Sequence, residues 1–416
     1  MVSHGYNGTV VITGIGTLVS GDFQRGILAA DSVIVKNGLI DQIGWAGDLD
    51  FSAADHVVDV QGQVVCPGFI DAHVHNTIDD YQPMQRVANW MESYLWYGIT
   101  TLVSEGEQGP GYPRFFDDAI GVKALAIVAK RVFDNFRPGG FQKVHGGAVV
   151  LVNGLSEADF AEMARAGVWL VAEIGGGSLP ANYLEMVAWA RRYRFKVSVH
   201  IGPRSIPTSA PIGADIALAI KPDKMARLNG GSTAAPWPEI KRIIDGSDAA
   251  LELVVTGNQK MADRILAYLQ ARNELHRVTF GSDTPTGQGA MPNGIQRMVM
   301  RAAAFHDIPP AQAIAMGTGN TADLYGLNTG KIEVGREADL LAIDSALDAV
   351  GQDALAAMAM DDTFGASMVM VDGQICSVKG RDGRPTRRCI LIDGRPAQAE
   401  SVNEYIFGPY FPGFLR

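Results

Sequence analysis

The rhythm of apolar and polar positions changes twice along the chain. Up to about residue 66, short apolar stretches alternate with polar residues and glycines. Val10-Val11-Ile12, Ile27-Leu28-Ala29, Ser32–Val35 and His56–Val60 each predict a strand, and Lys36-Asn37-Gly38-Leu39-Ile40 predicts a hairpin with an Asn-Gly turn. From Pro67 the pattern becomes strand, helix, strand. The apolar run Val64–Ile70 enters it, with Pro67-Gly68 punctuating its start. Further strands are predicted at Gly98–Ser104, His145–Leu151, Val168–Glu173, Phe195–His200, Lys224–Leu228 (weakly marked), Ala250–Val255 and Arg277–Asp283. Helical patterns fall over Val122–Val132, after the N-cap Ser156, and over Met186–Arg192. After Gly326 strands return without helices, at Lys331–Val334, Asp339–Ile343 and Met368–Gln374.

Eight strand–helix units in series predict an α/β fold, a closed (β/α)8 TIM barrel. An open doubly wound sheet is the alternative; it wants fewer repeats and a phosphate-binding loop. Gly14-Ile15-Gly16 is not that loop, because Val19 stands where the third glycine belongs and no helix follows. The strands at the two chain ends are expected to join in one small β-sandwich, since neither set alone closes a core. The expected domains are therefore a sandwich from 1–66 and 328–395, a barrel over 67–327, and an aromatic tail over 396–416. The tail, Tyr405-Ile406-Phe407-Gly408-Pro409-Tyr410-Phe411, is expected to pack on the body or on a neighbouring subunit.

With 416 residues, 47% of them hydrophobic, the chain can bury a large core. A net charge of -10 argues against a nucleic-acid partner. No apolar stretch is long enough to span a bilayer, and the N-terminus lacks the basic lead and apolar run of a signal peptide. Cys66, Cys376 and Cys389 are few, odd in number and scattered, which fits a reducing cytoplasm better than the periplasm.

Candidate chemistry sits where ionisable residues interrupt the apolar strand ends. Asp71-Ala72-His73-Val74-His75 alternates, so His73 and His75 project from one strand face and form a natural ligand pair for a divalent metal such as zinc. Glu173, His200 and Asp283 stand at the ends of the fourth, fifth and eighth predicted strands. In a barrel those ends ring one mouth, and the five together make a nitrogen and oxygen donor set suited to zinc or iron. Each alone has an ordinary alternative: a capped strand-end carboxylate for Glu173, a hydrogen-bonded core histidine for His200, an Asx turn for Asp283. Convergence of all five makes the case.

The chain also resembles the amidohydrolase superfamily, from about Val10 to Gly373. The likeness rests on Pro67-Gly68-Phe69-Ile70-Asp71 before the histidine pair, Lys143-Val144-His145-Gly146-Gly147-Ala148, Gly167-Val168-Trp169, Asn229-Gly230-Gly231, Thr318-Gly319-Asn320 and Tyr325–Gly330. It implies a metal-dependent hydrolase acting on a small cyclic amide, assembled as a homo-oligomer, a tetramer or dimer. The family pattern carries paired histidines after strand one, Lys or Glu on four, histidines on five and usually six, and aspartate on eight. The departure is Arg227, where the strand-six histidine is expected. A guanidinium cannot ligate a metal and repels one nearby. The resemblance therefore implies one zinc held firmly on His73, His75 and Asp283, and a second zinc or iron site, on Glu173 and His200, that is weakened or empty. Asp283 takes the role of proton shuttle. His200 either ligates the second metal or steadies the developing oxyanion, and Arg227 is assigned to clamp a substrate carboxylate. Two other readings stand beside this one. A deaminase of the same superfamily commonly has a glutamate shortly after the strand-five histidine, whereas His200 is followed by Ile201-Gly202-Pro203-Arg204. A barrel without catalysis, kept for binding, has Arg227 as its only support.

Overall fold

The structure, a computed structural model, describes residues 6–397 except 110, 113–116, 138–139, 178, 207–208, 232 and 379–382. The aromatic tail expected at 405–411 lies outside the described residues. The chain divides into two compact units. One comprises Met1–Phe69, Glu92–Thr100 and Val299–Arg416; the other comprises Ile70–Met91 and Thr101–Met298.

The first unit is built on two six-stranded sheets, each mixing residues from both chain ends. One runs in the order Arg395–Pro396, Leu391–Ile392, His56–Asp59, Thr9–Thr13, Ser32–Lys36, Leu39–Gly44. The other runs Gln374–Ser377, Phe364–Val371, Leu340–Ser345, Val64–Pro67, Thr17–Val19, Ile27–Leu28. Alternate side chains of both, including Ile12, Val33 and Val58 from one and Leu18, Val65, Leu340 and Met368 from the other, meet in a single buried apolar cluster. The expected hairpin is present: Asn37 and Gly38 both take positive φ (51° and 79°), the conformation a two-residue turn between twisted strands requires.

The second unit carries parallel strands. Lys143–His145, Ile99–Ser104 and Phe69–Val74 form one sheet. Ala148–Val149, Leu170–Ile174, Lys196–His200, Lys224–Ala226, Ala250–Val254 and Val278–Gly281 form another, each parallel to its neighbours. A parallel bridge from Val74 to Thr284 joins the first sheet to the end of the second. Amphipathic helices fall between these strands. Glu157–Arg165, for instance, buries Phe160 and Met163 and begins as expected at Ser156, whose N–H and hydroxyl both donate to Asp159. No helix among the described residues is long and apolar enough to cross a membrane.

Four expectations need correction. The apolar run over 64–70 is not one strand but two, because at Gly68 the chain changes partners: Val64–Pro67 pairs with Leu340–Ser345, and Phe69–Val74 joins the sheet of Ile99–Ser104. The third strand breaks likewise at Gly146-Gly147 into Lys143–His145 and Ala148–Val149. Lys331–Val334 is irregular rather than a strand, running from a bend at Lys331 into a turn at Val334. The C-terminal segment is not free of helix: Ala354–Ala359 is helical, capped by the Asp353 side chain at Ala356 N.

One close approach sets where the parallel strands hold their ends. A Cβ on Gly281 would sit 2.6 Å from the Cβ of His73, an atom with no freedom to yield. Gly281→Ala is therefore expected to lower stability by about 1–3 kcal/mol and to displace His73. Thermal denaturation checks this; an unchanged Tm contradicts it.

Candidate metal centre

His73 and His75 are fully buried, and their Nε2 atoms face each other 3.3 Å apart. Their other nitrogens are committed. His73 Nδ1 lies 2.7 Å from Glu252 Oε2, and His75 Nδ1 lies 3.1 Å from the Gly106 carbonyl oxygen. Both partners only accept, so both Nδ1 atoms carry a hydrogen and both Nε2 atoms face the same gap. At that separation the two Nε2 atoms need a shared proton or a metal ion between them.

Glu173 reaches the same gap through an irregularity that the amino-acid order does not reveal. The register between its strand and Lys196–His200 slips between Val171 and Ile174, so the Glu173 strand carries one extra residue. Such a bulge re-aims side chains. Glu173 oxygens lie 3.8 Å from His75 Nε2 and 3.9 Å from His73 Nε2, and the three residues have donor atoms within 4.8 Å of one another. Asp283, which takes the left-handed conformation (φ 56°) just past its strand, places Oδ1 3.2 Å from His75 Nε2 and 3.5 Å from His73 Nε2. The Asp283 N–H donates to the His73 carbonyl at 2.9 Å, which fixes this approach.

His200 lies on the other side of Glu173. Its Nδ1 is 2.7 Å from Glu173 Oε2, and its Nε2 is 3.0 Å from the Ser205 hydroxyl. Arg227 is also in the site, in a left-handed conformation (φ 53°) that costs about 1–2 kcal/mol for a residue with a Cβ. Its Nη1 lies 3.3 Å from each ring nitrogen of His200 and 3.0 Å from Ser205 Oγ, and its Nε is 3.0 Å from Asp283 Oδ2. Gly231 makes room for it, because a Cβ there would collide with Nη2. Asn229 of the same Asn-Gly-Gly segment brackets Val254 on the next strand, accepting from its N–H and donating to its carbonyl, both at 2.9 Å.

Electrostatically the gap favours positive charge. Burial works to lower the His73 pKa, but Glu252, Asp283 and Glu173 outweigh it and lift the imidazole to about 9. Burial also works to raise Asp283 and Glu173. The Arg227 guanidinium with His75 and His73 overrides it at Asp283, and His200, His73 and Arg227 override it at Glu173, so both carboxyls stay well below the usual range. Two imidazole nitrogens beside two ionised carboxylates fit a divalent metal. His73 and His75 with these carboxylates would hold it.

All six residues singled out in the sequence come together: His75, Glu173, His200, Arg227 and Asp283 line a cavity of about 620 Å³, and His73 lies against them. Met84, Tyr112 and Ile206 give its wall apolar character; Gln108 and Gln288 add amides. Sequence reasoning missed the supporting charges. Asp71 accepts from the N–H groups of His73 (3.1 Å) and Ser282 (2.8 Å), tying the two strand ends together. Lys224 and Glu252 are single charges within otherwise apolar strands, a usable signal, but their partners are remote in the chain. Glu107 accepts from Gly147 N (2.6 Å), Ser104 Oγ (3.1 Å) and Asn76 Nδ2 (3.4 Å).

Comparison with known proteins agrees with the likeness read from the sequence. Residues 64–376 match the amidohydrolase family. The chain is 42% identical over 384 residues to the enamidase of Eubacterium barkeri, across 92% of this chain and 99% of that one. The crystal structure of enamidase superposes with a TM-score of 0.88, covering 92% of this chain and 100% of that one at 42% identity. An adenine deaminase of Thermosipho africanus is 23% identical over 74% of this chain and 51% of its own length.

Glu107 yields a pH test away from the ligands. Burial pushes its carboxyl up to about 7, against the three hydrogen bonds that favour the ion. A raised folded-state value contributes stability that is fully present below the ordinary glutamate range and lost as pH rises through about 7. Between pH 5 and pH 8 the wild type should therefore lose up to about 3 kcal/mol through this group. Glu107→Gln, which keeps an acceptor for Gly147, should shrink the Tm difference between those pH values; an equal difference in both proteins contradicts the assignment.

Proposed function

The chain belongs to the amidohydrolase family, and on that premise we propose that it hydrolyses the C–N bond of a cyclic amide, an enamide or lactam, at a metal centre. The facing Nε2 atoms of His73 and His75, 3.3 Å apart beside ionised carboxylates, are the observation that carries this reading. The 42% identity to an enamidase over nearly its whole length supports the substrate class. The deaminases are distant by comparison, and no carboxylate follows His200 closely. The continuous parallel strand order and the Val74–Thr284 bridge support a closed (β/α)8 barrel over 67–327, with its strand ends forming the mouth. The shared apolar cluster supports a β-sandwich from 1–66 and 328–395.

A zinc ion on His73, His75, Asp283 and Glu173 would supply an activated water and polarise the amide carbonyl. The residues of the chain do the rest. Asp283 accepts a proton from the attacking water and returns it to the leaving nitrogen. We assign His200, held by Glu173 and Ser205, to steady the developing oxyanion. Arg227 holds its charge next to His200 and Asp283, where a second cation would otherwise stand, which favours a single metal. Its guanidinium also suits a carboxylate on the substrate. A carboxylate paired with a guanidinium is a weak base, so drawing Arg227 toward an anionic substrate frees Asp283 as the reaction begins. The expected assembly is a homo-oligomer working in the cytoplasm on a small molecule.

Asp283→Asn should lower kcat by about 100- to 10,000-fold, while elemental analysis still finds metal bound. Retained ring-opening activity on cyclic enamides and lactams refutes the shuttle. Arg227→Ala should raise KM about tenfold or more for carboxylate-bearing cyclic amides and leave neutral ones unchanged. An equal rise for both refutes the clamp.

A further inference from the structure

Behind the imidazoles lies a set of buried charges for which the proposed reaction has no direct use. Lys224, Glu105 and Glu252 are each at most 2% exposed. Lys224 Nζ lies 2.6 Å from Glu105 Oε1, 2.6 Å from Glu252 Oε1 and 2.7 Å from the Ala72 carbonyl oxygen. The second Glu252 oxygen takes His73 Nδ1–H at 2.7 Å and the Arg227 backbone N–H at 3.2 Å. The set thus runs from Glu105 through Lys224 and Glu252 to the back of one imidazole. Two carboxylates against one ammonium leave the His73 imidazole, hydrogen-bonded to Glu252, to supply the balancing positive charge, as a proton or a metal ion. Burying uncompensated charge is costly, and its cost falls when positive charge gathers nearby. The nearest such place is His73 Nε2, at the mouth of the gap it shares with His75.

We propose that Glu252, Lys224 and Glu105 are positioning residues that hold His73 as a ligand and set the affinity of the centre for its metal. Glu252 fixes the ring and its tautomer, so the Nε2 lone pair faces the gap. Lys224 holds Glu252 in place without cancelling it, because Glu105 shares the ammonium. The surplus negative charge makes the imidazole a stronger donor and offsets the charge of a divalent ion. The inference rests on the reading of this site as a metal centre.

The test uses the full chain, stripped of metal and reloaded with zinc, with zinc affinity read by competition against a chelator and the Tm of the metal-free form read alongside. Glu252→Gln should weaken zinc binding by about 10- to 100-fold. Glu105→Gln should weaken it by a smaller factor in the same direction. Each variant takes a carboxylate partner from the buried Lys224 ammonium and lowers the metal-free Tm, so zinc affinity is compared at a temperature where every metal-free protein is folded. Affinities within twofold of wild type in both variants overturn the proposal, as does a loss at Glu105→Gln equal to or larger than that at Glu252→Gln. Should Glu252→Gln fail to fold, Glu105→Gln decides alone, and unchanged affinity there overturns the idea. A wild-type protein that takes up no zinc overturns the metal centre itself; wild-type binding with unaltered variants overturns only this role.

Discussion

The site turns on the contact between two like atoms. Nε2 of His73 and Nε2 of His75 are brought to 3.3 Å with both rings held from behind, one by a carboxylate and one by a backbone carbonyl. Neither ring can turn away without giving up a buried hydrogen bond, which costs about 1–3 kcal/mol. The pair thus calls for a cation between its nitrogens, a proton or a metal ion, and the nearby carboxylates favour it. With Glu252, Asp283 and Glu173 all lifting the basicity of His73, the gap is a place for positive charge.

The strand ends serve that contact. Gly281 lets the last parallel strand lie against His73, Asp71 ties His73 to Ser282, and the Asp283 N–H reaches the His73 carbonyl. Asp283 is consequently delivered to the metal gap from one side, while the bulge at Val171–Ile174 delivers Glu173 from another. Arg227 adds a fixed cation where relatives of the family are expected to carry a ligand. It sits between His200 and Asp283, in strained backbone and over a glycine, all signs of a residue the local structure was shaped to hold.

Much of this was legible in the chain before any coordinates. Period-two alternation put His73 and His75 on one face, and ionisable residues at apolar strand ends picked out Glu173, His200 and Asp283. The Asn37-Gly38 turn and the Ser156 cap were likewise local chemistry. What escaped was non-local. The break at Gly68 comes with a change of strand partner and the one at Gly146-Gly147 with a positive φ at Gly147, neither of which an apolar run announces. The bulge that aims Glu173 is a register property shared by two strands. The part played by Glu252 was not legible because its partner, His73, is 179 residues away. The resemblance to a family identified the chemistry, but it said nothing of these supports.

The account comes down to a cation lodged between two imidazole nitrogens, with a guanidinium rather than a second metal across from it. Anomalous diffraction at the zinc edge, from crystals grown with zinc, reads this directly. The predicted map has one strong peak about 2.0–2.1 Å from Nε2 of both His73 and His75, with Arg227 still beside His200. A gap without a peak, a metal bound through Nδ1 atoms, or a second full peak at the Arg227 position would contradict it.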